Sequence, residues 1–222
     1  MPVELRVEHD VCVLHLGDGE NLVDRDFLAA VDAALDRAAS DHAGQPLVTT
    51  AEGKFFSNGF DLTLLTGLRG AELGEFIAAA CGMLGRVMTF PAPTVAAVNG
   101  HAFGVAAMLA LAHDQRVMRE DRGWWCLPEI DLGMVFHPFM QELITAKLAP
   151  ATVHEAMLSG KRYDGPDALA AGIVDDLAAE LDLVARAATR ATARSGKDPK
   201  VLGSIKRSLH AGVLAKRDAR LG

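Results

Sequence analysis

Hydrophobic positions recur along this chain with two periods, and the change from one to the other marks its organisation. Residues 3–8 and 11–16 are short β-forming runs on either side of His9-Asp10, which predicts a hairpin. Residues 24–39 place Phe27, Leu28, Val31, Leu35 and Ala38 on one face at helical spacing. A strand is predicted over 46–50, then a loop through Phe55-Phe56-Ser57-Asn58-Gly59-Phe60-Asp61-Leu62. The helix predicted over 71–88 is stopped by Phe90-Pro91-Ala92-Pro93. A buried strand over 94–98, a turn at Gly100 and a buried helix over 105–112 follow, then strands over 116–118 and 124–127. From Pro138 onward the pattern predicts only helices, over 139–148, 152–159, 166–171, 177–194 and 200–216.

Strands and helices alternate first and helices come last, with no Gly/Ser-rich linker between them. This is the pattern of an α/β fold. Residues 1–149 form the expected α/β body, and residues 150–222 a helical segment that packs on it or on a neighbouring subunit.

Composition narrows the class. Half of the 222 residues are apolar, enough for one sizeable core. The longest apolar stretches, such as 102–112, are far shorter than the roughly 20 residues of a membrane span, so no membrane partner is expected. Met1-Pro2-Val3-Glu4-Leu5-Arg6 lacks a basic-then-apolar leader, and Cys12, Cys81 and Cys126 are odd in number and widely spaced. Both features point to a cytoplasmic, reducing setting. The histidines form no HxxxH or HExxH pattern, so no metal site is expected.

Charge is uneven. Residues 190–222 hold nine Lys/Arg against two Asp/Glu, which leaves −14 on the first 189 residues of a chain whose net charge is −7. A basic tail on an acidic body suits an anionic ligand or a neighbour's acidic surface. The tail has no aromatic residue to stack on bases, so nucleic acid is not an expected partner.

Candidate chemistry lies in two turns and one acid. Ser57-Asn58-Gly59-Phe60-Asp61 ends a strand, turns at Asn-Gly, and offers Asp61 as the cap of a helix beginning at Leu62. Asn99-Gly100-His101-Ala102-Phe103-Gly104 likewise leads from a strand into the small-residue helix that starts at Val105. Helix starts and turns of this kind present unpaired N–H donors. Neither GxGxxG nor GxxxxGK[ST] is present, which disfavours a nucleotide site. Glu129 stands inside the apolar run Trp124-Trp125-Cys126-Leu127-Pro128-Glu129-Ile130. A desolvated carboxylate facing two N–H donors moves a proton next to a carbonyl.

These segments, with Ser159-Gly160-Lys161-Arg162-Tyr163 and Ala170-Ala171-Gly172-Ile173-Val174-Asp175 in the same order, resemble the crotonase superfamily, also called enoyl-CoA hydratase/isomerase. The resemblance runs over residues 3–217 and implies a spiral of ββα units with a C-terminal helical segment. It implies an acyl-CoA thioester substrate, no separate cofactor since coenzyme A is part of that substrate, and a homotrimer or dimer of trimers. The family's two oxyanion-hole N–H groups fall here on Phe60, after Ser57 and Gly59, and on Val105, after Gly104. A backbone donor tolerates any side chain except proline.

Family hydratases carry two glutamates, at the positions of Met108 and Glu129. With methionine at the first, the chain looks like the Δ3,Δ2-enoyl-CoA isomerase branch, in which one glutamate removes a proton from C2 and returns it at C4. The reading of the residues expects Trp124, Trp125, Leu127 and Ile130 to desolvate Glu129, and Met108, Phe60 and Phe136 to exclude water. For His137, eight residues past Glu129, three roles stay open: lining the acyl pocket, acting as a second acid–base group, or starting the helix before Pro138. Lys54 is the expected cation for the CoA phosphates, with Lys206 and Arg207 as looser matches. The rival readings are a hydratase-like enzyme, a thioesterase, or a non-catalytic acyl-CoA-binding subunit.

Overall fold

The computed structural model describes residues 2–8, 10–217 and 219. Strands β1 (Glu4–Glu8) and β2 (Val11–His15) pair antiparallel, with Glu8 opposite Val11. Of the predicted His9-Asp10 turn, His9 lies outside the described residues, and Asp10 adopts a left-handed φ of 63°. Asp24 caps helix α1 (Arg25–Asp41) by accepting from the Phe27 N–H at 2.7 Å, which satisfies one of the orphan donors of the first turn. The chain continues through β3 (Leu47–Thr50), β4 (Phe55–Ser57), α2 (Leu62–Gly67), α3 (Gly70–Met88) and β5 (Thr94–Val98). Next come β6 (His101–Phe103), α4 (Val105–Ala112), β7 (Gln115–Arg119) and β8 (Trp125–Cys126).

After the opening hairpin, whose two strands share one sheet, each ββα unit sends one strand to each of two sheets. Their first strands, with the hairpin and a last strand β9 (Asp176–Ala178), form a six-stranded sheet in the order β1-β2-β3-β5-β7-β9, parallel except for the hairpin. The second strands form a small parallel sheet, β4-β6-β8. This alternation is the expected spiral. Helix α4 is buried along its whole length, which is why its eight residues are all Val, Ala, Met or Leu. The small sheet brings the ends of β4, β6 and β8 together, and the two predicted turns and Glu129 all follow these ends.

The C-terminal region departs from the all-helical expectation. Helices α5 (Pro138–Lys147), α6 (Pro150–Ser159) and α7 (Gly165–Ala170) are followed by strand β9 (Asp176–Ala178), which pairs parallel with β7. Helix α8 (Leu183–Thr192) therefore starts six residues later than the predicted 177. The helix predicted over 200–216 is two helices, α9 (Pro199–Leu209) and α10 (Ala211–Leu214). The predicted loop at 55–62 begins as strand β4, the turn after Gly100 is strand β6, and the strand over 124–127 shortens to β8.

Candidate active site

The first turn is shaped by its own polar groups. Ser57 Oγ donates to the Asn21 carbonyl at 2.7 Å and accepts from the Gly59 N–H at 3.2 Å. Asn58 N–H donates to Glu20 and Asp61 N–H to Val23. Between them, the Phe60 N–H has no backbone acceptor among the described residues. Gly59 has φ +85°, and a Cβ there would lie 2.7 Å from the Phe103 carbonyl oxygen. Only glycine lets this turn rest against β6. Asp61 caps α2, accepting from the Thr63 and Leu64 N–H groups at 2.8 and 3.1 Å, as the sequence predicts.

The second turn ends at Gly104, whose N–H donates to the Cys126 carbonyl at 3.0 Å. Val105 is the first residue of α4, so its N–H has no partner within the helix and sits at the positive end of the helix dipole.

Glu129 lies in a single 3-10 turn, Pro128–Ile130, fixed by the Met134 N–H donating to its carbonyl at 2.9 Å. Its side chain is 8% exposed, and Oε2 is buried without a hydrogen-bond partner among the described residues. Burial pushes this carboxyl up from its ordinary 4.5 to about 7. The group is therefore near half-ionised at neutral pH, where a general base works best.

Glu129, Phe60 and Val105 line one cavity of about 390 Å³. Leu62, Leu65, Ile77, Met134 and Phe136 supply apolar wall. Glu129 and the two residues that carry these N–H groups thus border a mostly apolar space whose other polar lining is Asn58, Thr66 and His137, an arrangement suited to enolising a thioester.

Of the predicted site residues, Gly59, Phe60, Gly104, Val105, Glu129, Phe136 and His137 all border this cavity. Others do not. Ser57 is buried and braces the first turn, and Asp61 is its helix cap. Met108 is 1% exposed and packs in the core rather than lining the cavity. Lys54 sits with Nζ 5.1 Å from the centre of the Phe55 ring, away from the cavity lining. Lys206 is the clearest correction: it is buried, and its Nζ donates to Asp114 Oδ2 at 2.6 Å and to the Ala92 carbonyl at 2.8 Å. It anchors α9 on the chain's own body instead of facing a ligand.

Of the four residues expected to desolvate Glu129, Trp125 and Leu127 are fully buried and the other two are not. Trp124 and Ile130 are 40% and 50% exposed and face outward. Trp124 packs against His101, with ring centroids 4.9 Å apart. The walls come from α2, α3 and residues 133–136, of which the sequence analysis names only Phe136. Leu62, Leu65, Leu73 and Ile77 carry the only sequence signal, an apolar helical face.

His137 is now placed. Its Nδ1 accepts from the Phe139 N–H at 3.2 Å, so the ring proton is on Nε2, which lies 2.8 Å from the Ala219 carbonyl and donates to it. It both starts α5 and lines the cavity, and both ring nitrogens are occupied.

The spiral of ββα units is a fold of the crotonase kind, and comparison with known proteins agrees with the fold. The sequence profile of the enoyl-CoA hydratase/isomerase family matches residues 6–221, and the chain belongs to that family. Among its relatives, peroxisomal enoyl-CoA delta isomerase 2 of Arabidopsis thaliana is 37% identical over 170 residues, 73% of this chain and 70% of the relative. Enoyl-CoA delta isomerase 3 of the same plant is 38% identical over 167 residues, with the same coverage of each chain. Among solved structures, the probable enoyl-CoA hydratase EchA3 of Mycobacterium tuberculosis superposes with a TM-score of 0.89 at 28% identity, covering 99% of this chain and 92% of that one.

Proposed function

We propose that this protein isomerises 3-enoyl-CoA to 2-enoyl-CoA with Glu129 as its single base. The carrying observation is Glu129 itself, a lone buried carboxylate in an apolar cavity bordered by two unpaired N–H groups. In this reading the thioester oxygen accepts from the Phe60 and Val105 N–H groups. Glu129 takes a proton from C2, the negative charge spreads over the dienolate and onto the thioester oxygen, and the same carboxyl returns the proton at C4. Atoms balance without a cofactor. Each oxyanion donor is worth about 3 kcal/mol in the transition state. Hydration would need a second group to handle water. Met108 is buried apolar core, and both nitrogens of His137 are engaged, so neither supplies it. The delta isomerase relatives favour the same reaction.

The test follows the absorbance of the conjugated thioester formed from 3-enoyl-CoA. Glu129→Gln keeps shape but accepts no proton, so the rate should fall by about 10²–10⁴ while CoA binding stays near that of the parent. A variant within about tenfold of the parent removes Glu129 from the reaction. A trimer or dimer of trimers belongs to the same reading. Exposed Leu132, Val135, Leu158 and Leu209 are apolar surface for a neighbour to cover, and sedimentation measures it.

A further inference from the structure

Lys147, in the last turn of α5, is a cation without a carboxylate. Its Nζ donates to the His113 carbonyl at 3.1 Å, and Nη1 of Arg116 donates to the same oxygen at 3.3 Å. Two cationic groups thus share one neutral acceptor. The acids nearby are engaged elsewhere. Asp175 Oδ2 accepts from Arg116 Nη2 and from the Arg116 N–H, each at 2.8 Å. Asp114 Oδ2 accepts from Lys206 Nζ at 2.6 Å and from the Thr94 N–H at 2.9 Å. Among the described residues Lys147 has no ion pair. The imidazoles of His113 and His210 complete the cluster, and burial holds both below their ordinary value. Arg116, Lys147 and Lys206 therefore face only two carboxylates. Burial and then the Arg116 charge push the Lys147 ammonium down from its ordinary 10.5 to about 8.

Such a lysine offers the electron pair of its Nζ at a pH where ordinary lysines do not. It is only half-buried, and Thr145, Ala146, Ala149 and Pro150 around it are exposed, so the end of α5 meets solvent. No other lysine combines these features. Lys54, Lys197, Lys200 and Lys216 are exposed, Lys161 pairs with Glu155, and Lys206 is buried against Asp114. We propose that Lys147 is an acyl-acceptor site, where Nζ takes the acyl group of a short-chain acyl-CoA thioester. The neutral amine attacks the thioester carbonyl carbon, the carbon–sulfur bond breaks, and coenzyme A leaves as its thiol with the proton that the amine loses. An amide results, and no oxidant or further reactant is needed. The product keeps one N–H for the His113 carbonyl and loses the charge that crowds Arg116. Lys147 is not part of the Glu129 cavity, so the donor comes from solution. Membership of an enoyl-CoA family brings the chain together with thioesters of this class.

The test incubates the full chain with acetyl-CoA at about pH 7, 8 and 9, folded and in urea, and follows each lysine by mass spectrometry of its peptides. Acetyl-CoA has no double bond to move, so the outcome is independent of the reaction at Glu129. About half of Lys147 is neutral at pH 8, against roughly 0.4% of an ordinary lysine. Its lower basicity and partial burial take back part of that advantage. In the folded chain Lys147 should react faster than Lys197 and Lys200 by about tenfold at pH 8. Its rate should level above that pH, while theirs still climb by about tenfold per pH unit. In urea its lead should vanish. Lys147→Arg keeps the charge and the donor but cannot be acylated at that pH, so the fast acetyl group should be lost and the other sites unchanged. Equal rates at Lys147 and the exposed lysines of the folded chain overturn the assignment. So does a lead that persists in urea, or a fast acetyl group that remains in Lys147→Arg.

Discussion

A Cβ on Gly104 would stand 3.3 Å from Oε1 of Glu129. The residue that opens α4 is thus also the surface against which the carboxylate rests, and the Val105 N–H follows directly after it. Gly104 has φ +54° and ψ −122°, a conformation that side chains rarely adopt. One missing methyl group therefore sets both the helix start and the place of the base.

Gly104→Ala should disturb both. Backbone strain of this kind costs about 1–3 kcal/mol of stability. Displacing a reacting group by around an ångström costs on the order of 10²-fold in rate. Denaturant unfolding and kcat for 3-enoyl-CoA check the two effects. Parent-like kcat in the folded variant would show that the Gly104–Glu129 contact does not position the base.

Glu129 should weaken the fold where it is ionised. Its folded-state value is raised, to about 7 from an ordinary 4.5, so the protonated form is the better tolerated one. Its contribution to stability is full below about pH 4.5 and is lost as pH rises through about 7. Glu129→Gln, which cannot ionise, should match the parent near pH 4.5 and exceed it by roughly 3 kcal/mol at pH 8. Urea unfolding at the two pH values measures this, and a pH-independent difference would contradict a buried ionising carboxylate.

The same shift predicts the rate profile. The base must be ionised to accept the C2 proton, so kcat/KM should rise with pH through about 7 and then level. A profile already flat from pH 5 upward would mean that Glu129 is not desolvated in the free enzyme.

Lys206 should matter for folding and not for substrate. Lys206 is buried but its partner Asp114 is 26% exposed, so removing the lysine should cost less than a fully buried pair would, about 1–3 kcal/mol. Lys206→Met is expected to lower stability by that order and leave the CoA dissociation constant unchanged. Loss of CoA binding in a variant that remains folded would restore the ligand role suggested by its sequence.

That residue shows where sequence reasoning stops. Lys206 lies in a basic tail and looks like solvated surface, and its partner Asp114 is 92 residues away in the chain. Strand β9 is hidden for a related reason. Leu177 is its central residue, and nothing local separates three such residues from a first helical turn; pairing with β7 makes them a strand. Strands β4 and β6 are equally short and exist through each other. Trp124 shares one apolar run with Glu129, yet the strand end turns it outward onto His101. By contrast, α4 was legible to the residue, since an all-apolar run beginning after glycine leaves few other readings. Glu129 stands out locally as an acid in an apolar run, whereas Phe60 and Val105 are singled out by the family resemblance; the structure brings all three to one cavity. Apart from Phe60 and Phe136, the cavity walls are not legible in the sequence, because they arise where 62–77 meets 133–140.

The most direct measurement is the mass and ultraviolet spectrum of the product formed from 3-enoyl-CoA, with 2-enoyl-CoA supplied in a parallel incubation. The account predicts a product of unchanged mass that absorbs as a conjugated thioester, and no addition of water to 2-enoyl-CoA at a comparable rate. A product heavier by one water, or release of free coenzyme A, would contradict a single-base isomerase.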